Sequence, residues 1–193
     1  MNYLYHGSIA EKIKVLEAIS ILHGTDKKVV YLTDNVPYAL FYIWDSEHNC
    51  YDGKYVTAFI KNGMTFYEEQ FPNQIERFYK GVSGYLYCIP KTKDFYAVDD
   101  RERMYYSQHA ACVNKVIYID DVYDELLKFE KLGELKIFRF NEQTEDKQNE
   151  LIDKIAYLIA KKDFFKKDEM KADFYKRFNP KAWEKAKRIK TSI

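Results

Sequence analysis

The chain has 193 residues, 47% hydrophobic and 32% charged, which fits one soluble globular domain with a sizeable core. No apolar run approaches the roughly 18–20 residues of a membrane span, and no basic segment followed by an apolar stretch opens the chain, so a cytoplasmic protein without a secretory signal is expected. The net charge of +1 hides an uneven distribution: residues 161–193 hold twelve Lys/Arg and five Asp/Glu, or +7, which leaves −6 on residues 1–160.

In chain order, Tyr3–Tyr5 reads as a short strand leading into His6-Gly7-Ser8. Glu11–Ala18 places Ile13 and Leu16 at helical spacing, and Val29–Thr33 is apolar and β-branched enough for a buried strand. Asp34 or Asn35 is placed to cap a helix with Pro37 in its first turn, where a missing N–H does no harm. Asn62-Gly63 lies between two extended runs, Tyr51–Ile60 and Met64–Tyr67, and predicts a two-residue hairpin turn. A helix over 73–80 ends at Gly81, and Gly84–Ile89 is a strand closed by Pro90. Tyr105–Ser107 and Val116–Ile119 read as extended, Asp120 or Asp121 caps a helix running to Gly133, and Leu135–Phe140 is the last strand.

From Thr144 the period becomes helical: Leu151, Ile152, Ile155, Leu158 and Ile159 make one stripe, and Met170, Phe174 and Phe178 a second, before Asn179-Pro180 restarts the chain toward Trp183. Strands and helices mix without βαβ alternation, so the expected class is α+β: small mixed or antiparallel sheets forming a cleft, with C-terminal helices packed on the body. The expected division is a body over 1–141 and a helical appendage over 142–193. Ile155, Leu158, Phe174 and Trp183 are the residues expected to pack.

Three cysteines, Cys50, Cys88 and Cys112, form no CxxC pair, and the four histidines show no HExxH spacing, so neither a metal nor a disulfide framework is expected. A glycine-rich phosphate loop and a GxSxG elbow are also missing.

Leu4-Tyr5-His6-Gly7-Ser8 resembles the Leu-Trp-His-Gly-Ser segment of ADP-ribosyltransferases of the poly(ADP-ribose) polymerase type. Tyr31-Leu32-Thr33-Asp34, with Tyr42 eleven residues after Tyr31, is similar to their Tyr-Phe-Ala-Asp segment and its second tyrosine. The likeness covers about the first 45 residues and continues to about residue 120 only as an order of elements. It implies that NAD⁺ is the co-substrate, held in a cleft by His6, Gly7 and Ser8, with Tyr31 and Tyr42 as stacking walls. His6 and Tyr31 would then border that cleft, with Tyr42 across it. The family's order of elements would place its catalytic glutamate in the Asp99–Ser107 interval, where Glu102 is the one glutamate; if Glu102 serves, the resemblance implies a mono-ADP-ribosyltransferase. An alternative alignment sets Met104 of Met104-Tyr105-Tyr106-Ser107 at the catalytic position, which implies an inactive relative acting as a binding or regulatory module. A further reading, less favoured, is a protein that associates with nucleic acid through the basic C-terminal helices; the acceptor is unspecified, and a homo-oligomer is compatible with all three.

Overall fold

The computed structural model describes residues 2–51 and 53–190, so the last three residues of the 142–193 segment lie outside the described residues. Strand β1 is Tyr3–Ser8, β2 Val15–Leu16, β3 Ser20–Ile21 and β4 Lys28–Thr33; helices α1 (Val36–Leu40) and α2 (Ser46–Asn49) follow. Next come β5 (Ala58–Lys61), β6 (Met64–Glu68), α3 (Gln74–Tyr79), β7 (Gly84–Pro90), β8 (Tyr96–Ala97), β9 (Met104–Ser107), β10 (Ala111–Cys112) and β11 (Lys115–Ile119). The remainder is α4 (Val122–Lys131), β12 (Leu135–Phe138), α5 (Glu145–Lys162), α6 (Phe164–Lys167), α7 (Glu169–Phe178) and α8 (Pro180–Lys190).

The class is α+β. The main sheet runs β11-β7-β1-β4-β9-β8 with β3 attached to β4, and a smaller sheet runs β12-β6-β5. Local chemistry explains most boundaries. Asn35 caps α1, its side chain accepting from the Tyr38 N–H at 2.8 Å. Asp121 caps α4 and Thr144 caps α5 in the same way. Asn62 and Gly63 both have positive φ, 50° and 76°, the paired left-handed conformation that a tight hairpin between β5 and β6 requires.

One expected helix does not form. Over Glu11–Ala18 the chain is extended or irregular, with Lys12 left-handed and Val15–Leu16 pairing antiparallel with β10. Leu16 joins a core cluster with Leu4, Val30, Leu32, Tyr87 and Ile89. Cross-strand pairing and burial of Leu16 override a helical spacing carried by only two or three apolar positions.

The chain divides into two compact units that are not contiguous in sequence. One comprises Met1–Asp45, Val56–Tyr67 and Tyr79–Ile137; the other comprises Ser46–Tyr55, Glu68–Phe78 and Phe138–Ile193. The second unit thus gathers the C-terminal helices with two short segments from the first half of the chain, whereas the sequence suggested a single cut at 141. Its core is aromatic: Phe174 lies 4.8 Å from Tyr51 and 6.1 Å from both Phe71 and Phe78, ring centre to ring centre. Ile155, Phe174 and Trp183 are buried, while Leu158, at 36% exposure, stands on the rim of a stripe made by Leu151, Ile155, Ala156 and Ile159. Among the described residues no helix is long and apolar enough to cross a membrane.

Candidate functional site

The faces of the main sheet decide which motif residues can meet. β1 pairs antiparallel with β4 at Tyr5 and Thr33, and β4 pairs with β9 at Thr33 and Met104. Residues opposite one another share a face, and faces alternate along each strand. Tyr5, Gly7, Tyr31, Thr33 and Met104 therefore point to one side. Leu4, His6, Val30, Leu32 and Tyr87 point to the other, in agreement with the shared core cluster of Leu4, Val30, Leu32 and Tyr87. His6 and Tyr31 leave opposite faces of the sheet, so the shared cleft expected of them does not form.

Each remaining motif residue has an observable local task. A Cβ added at Gly7 would stand 2.2 Å from the Ala39 carbonyl oxygen and 3.1 Å from Ile43, so glycine is required by the close packing of α1 on β1. The Ser8 hydroxyl accepts from the Ala10 N–H at 3.1 Å, closing a local turn. The half-buried Tyr31 hydroxyl accepts from the His23 N–H at 3.2 Å and donates to the Ile21 carbonyl at 3.3 Å, fastening the segment after β3.

Glu102 is exposed and holds the hairpin. Its Oε2 accepts from the Gly63 N–H at 2.9 Å, and the bonds from Gly63 and then Asn62 keep its carboxyl below the usual glutamate range. Arg103 works beside it with a left-handed backbone, φ 58°. Its guanidinium donates to the Asp34 carboxylate at 2.6 Å and to the Gly63 carbonyl at 2.9 Å. The Asp34 carboxylate also accepts from the Tyr105 hydroxyl at 2.9 Å. Together Glu102 and Arg103 tie the β5–β6 turn to the end of β4.

That clamp borders a cavity of about 470 Å³ whose lining includes Tyr38, Tyr42, Phe59, Arg101, Glu102 and Met104. Tyr38 and Tyr42 stand one helical turn apart, with hydroxyls 3.1 Å from each other and rings at 61°. Burial, then the neighbouring Tyr38, raises the Tyr42 phenol well above its ordinary pKa, so it stays protonated at neutral pH. Met104 is buried at 7% exposure on the same side of the sheet as Thr33. Asp100 completes the polar rim with Arg101 and Glu102.

Of the six residues singled out from the sequence, Tyr42 and Glu102 border this cavity, and Glu102 does so with its carboxylate committed to the turn. The sequence assigns no site role to Tyr38, Arg101 or Arg103, although Tyr38 belongs to an aromatic run with Phe41 and Tyr42 and both arginines flank Glu102. Tyr38 carried a signal, since it lies four residues before Tyr42 in a helix opened by Asn35 and Pro37. Arg103 carried none, because its left-handed backbone and its reach to Asp34 come from tertiary structure.

Comparison with protein-family models, with curated proteins and with solved structures finds no match to this chain.

Proposed function

We propose that this chain is a ligand-binding, non-catalytic relative of the ADP-ribosyltransferases, taking a nucleotide in the cavity beside Tyr38 and Tyr42. The observation that carries the reading is Met104: it stands opposite Thr33 and lines the cavity, a thioether at the position where the alternative alignment calls for a carboxylate. Departure of nicotinamide builds positive charge on the ribose, and a positioned anion is the largest help an enzyme can give it. A methionine supplies no such charge, and Glu102 is held by the turn amides.

Four of the five residues that the resemblance assigns to NAD⁺, all but Tyr42, do not fit it. His6 and Tyr31 face apart, Gly7 is covered by α1 and Ser8 closes a turn. The cavity nevertheless offers what a nucleotide presents a protein with. Two phenol rings suit a flat base, Asp100 suits a ribose diol, and the Arg101 guanidinium suits a phosphate. The nucleic-acid reading is weaker, because Lys171, Lys176 and Lys187 pair with acids on their own helices and Lys185 pairs with Asp153.

Calorimetric titration with ADP, ADP-ribose and NAD⁺, run beside a chromatographic assay for free nicotinamide, tests the proposal. Binding of at least one nucleotide, with no nicotinamide released, is expected. Release of nicotinamide above the protein-free rate overturns the non-catalytic reading, and the lack of heat with all three overturns the nucleotide reading.

A further inference from the structure

We propose that β11 is a self-association edge, along which two copies of this chain pair antiparallel to continue the main sheet. β11 is the end strand of that sheet and, among the described residues, pairs with β7 alone. An end strand presents a row of unpaired N–H and C=O groups, and sheets ordinarily protect it with charge, proline or a covering loop. Here the central residues are apolar and open: Val116 is 46%, Ile117 36% and Tyr118 56% exposed. Charge is confined to the two ends, Lys115 before and Asp120 with Asp121 after.

This arrangement selects the partner. A second copy running parallel and in register would set Lys115 against Lys115 and Asp120 against Asp120. An antiparallel copy places the lysine of each strand at the acidic end of the other, so the charges complement one another at both ends. A two-fold axis normal to the sheet must relate residues on the same face, which allows only registers that pair a residue with one an even number away or with itself. Centring on Ile117 pairs Ile117 with its copy and Val116 with Tyr118 twice. Val116 and Tyr118 share the face of Tyr87 and Tyr85, and the Tyr118 ring already lies 5.4 Å from that of Tyr85, so the second copy's Val116 extends an existing apolar ledge. A five-residue edge is small against the roughly 800 Å² per partner of a standard interface, so the dimer forms in the micromolar range rather than the nanomolar.

Sedimentation equilibrium of the full chain tests this directly. Wild type is expected to show a reversible monomer–dimer equilibrium, and Val116→Lys or Tyr118→Lys to weaken it by about tenfold or more with unchanged thermal unfolding. In a background with Cys50→Ser and Cys112→Ser, Ile117→Cys should cross-link to a disulfide dimer under mild oxidation, whereas Lys131→Cys should not. A strictly monomeric wild type at high micromolar concentration overturns the proposal. So does a dimer that both lysine variants leave intact, or an Ile117→Cys protein that cross-links no better than the control.

Discussion

The end of β1 and the helix α1 are packed against each other, and they use their polar side chains in opposite ways. At the end of β1, Gly7 makes room for the Ala39 carbonyl and Ser8 closes a turn, so these positions serve the scaffold. On α1 and just beyond it, Tyr38 and Tyr42 turn their hydroxyls toward each other at the wall of a cavity. The short motif therefore marks where strand and helix meet closely, and Tyr38 and Tyr42 rather than the motif line the cavity. Met104 stands opposite Thr33 in the pairing of β4 with β9, on the same side of the sheet.

The largest expected effect separates packing from ligand approach at Gly7. Gly7→Ala forces a Cβ onto a backbone oxygen that cannot retreat without moving α1, so it should cost about 3 kcal/mol and lower the melting temperature by roughly 6–12 °C in a calorimetric scan. If Gly7 instead admitted a ligand, the variant would melt like wild type and lose binding only. Next comes the cavity floor: Met104→Ala removes a buried side chain and should destabilise by about 2 kcal/mol in urea unfolding. An unchanged midpoint would show that the floor collapses around the smaller residue.

Tyr31→Phe keeps a flat ring and removes the hydroxyl that fastens residues 21–23. A loss of about 1 kcal/mol with unaltered nucleotide affinity is expected. Loss of affinity would return Tyr31 to the site. The smallest effect belongs to Glu102. Because the turn amides depress its folded-state pKa below the ordinary 4.5, its contribution is present above that value and disappears as pH falls through the folded pKa. Denaturation profiles of wild type and Glu102→Gln should differ at neutral pH and converge in acid. A difference that persists below the folded pKa would mean that the carboxylate charge is not what holds the turn.

Elements set by neighbouring residues were legible in the sequence. The Asn62-Gly63 turn, a cap at Asp34 or Asn35, another at Asp120 or Asp121, and the helical period beyond Thr144 all depend on chemistry within four residues. The site was less legible, because the side of the sheet on which a residue emerges depends on register with a strand far away in sequence. The Tyr5–Thr33 pairing sends His6 and Tyr31 apart, and nothing within either segment announces it. Glu11–Ala18 shows the same limit, since its fate depends on pairing with Ala111–Cys112. The role of Glu102 was hidden likewise, its partner being a turn about forty residues upstream.

The central claim is that the cavity beside Tyr42, and not the end of β1, binds the nucleotide. Its most direct measurement is calorimetric titration of wild type, Tyr42→Ala and His6→Ala with ADP-ribose, each variant first shown to be folded by circular dichroism. The account predicts that Tyr42→Ala loses ten-fold or more in affinity, on the order of the 1–3 kcal/mol of a stacking contact, while His6→Ala binds like wild type. Loss of binding in His6→Ala with Tyr42→Ala unaffected would contradict it.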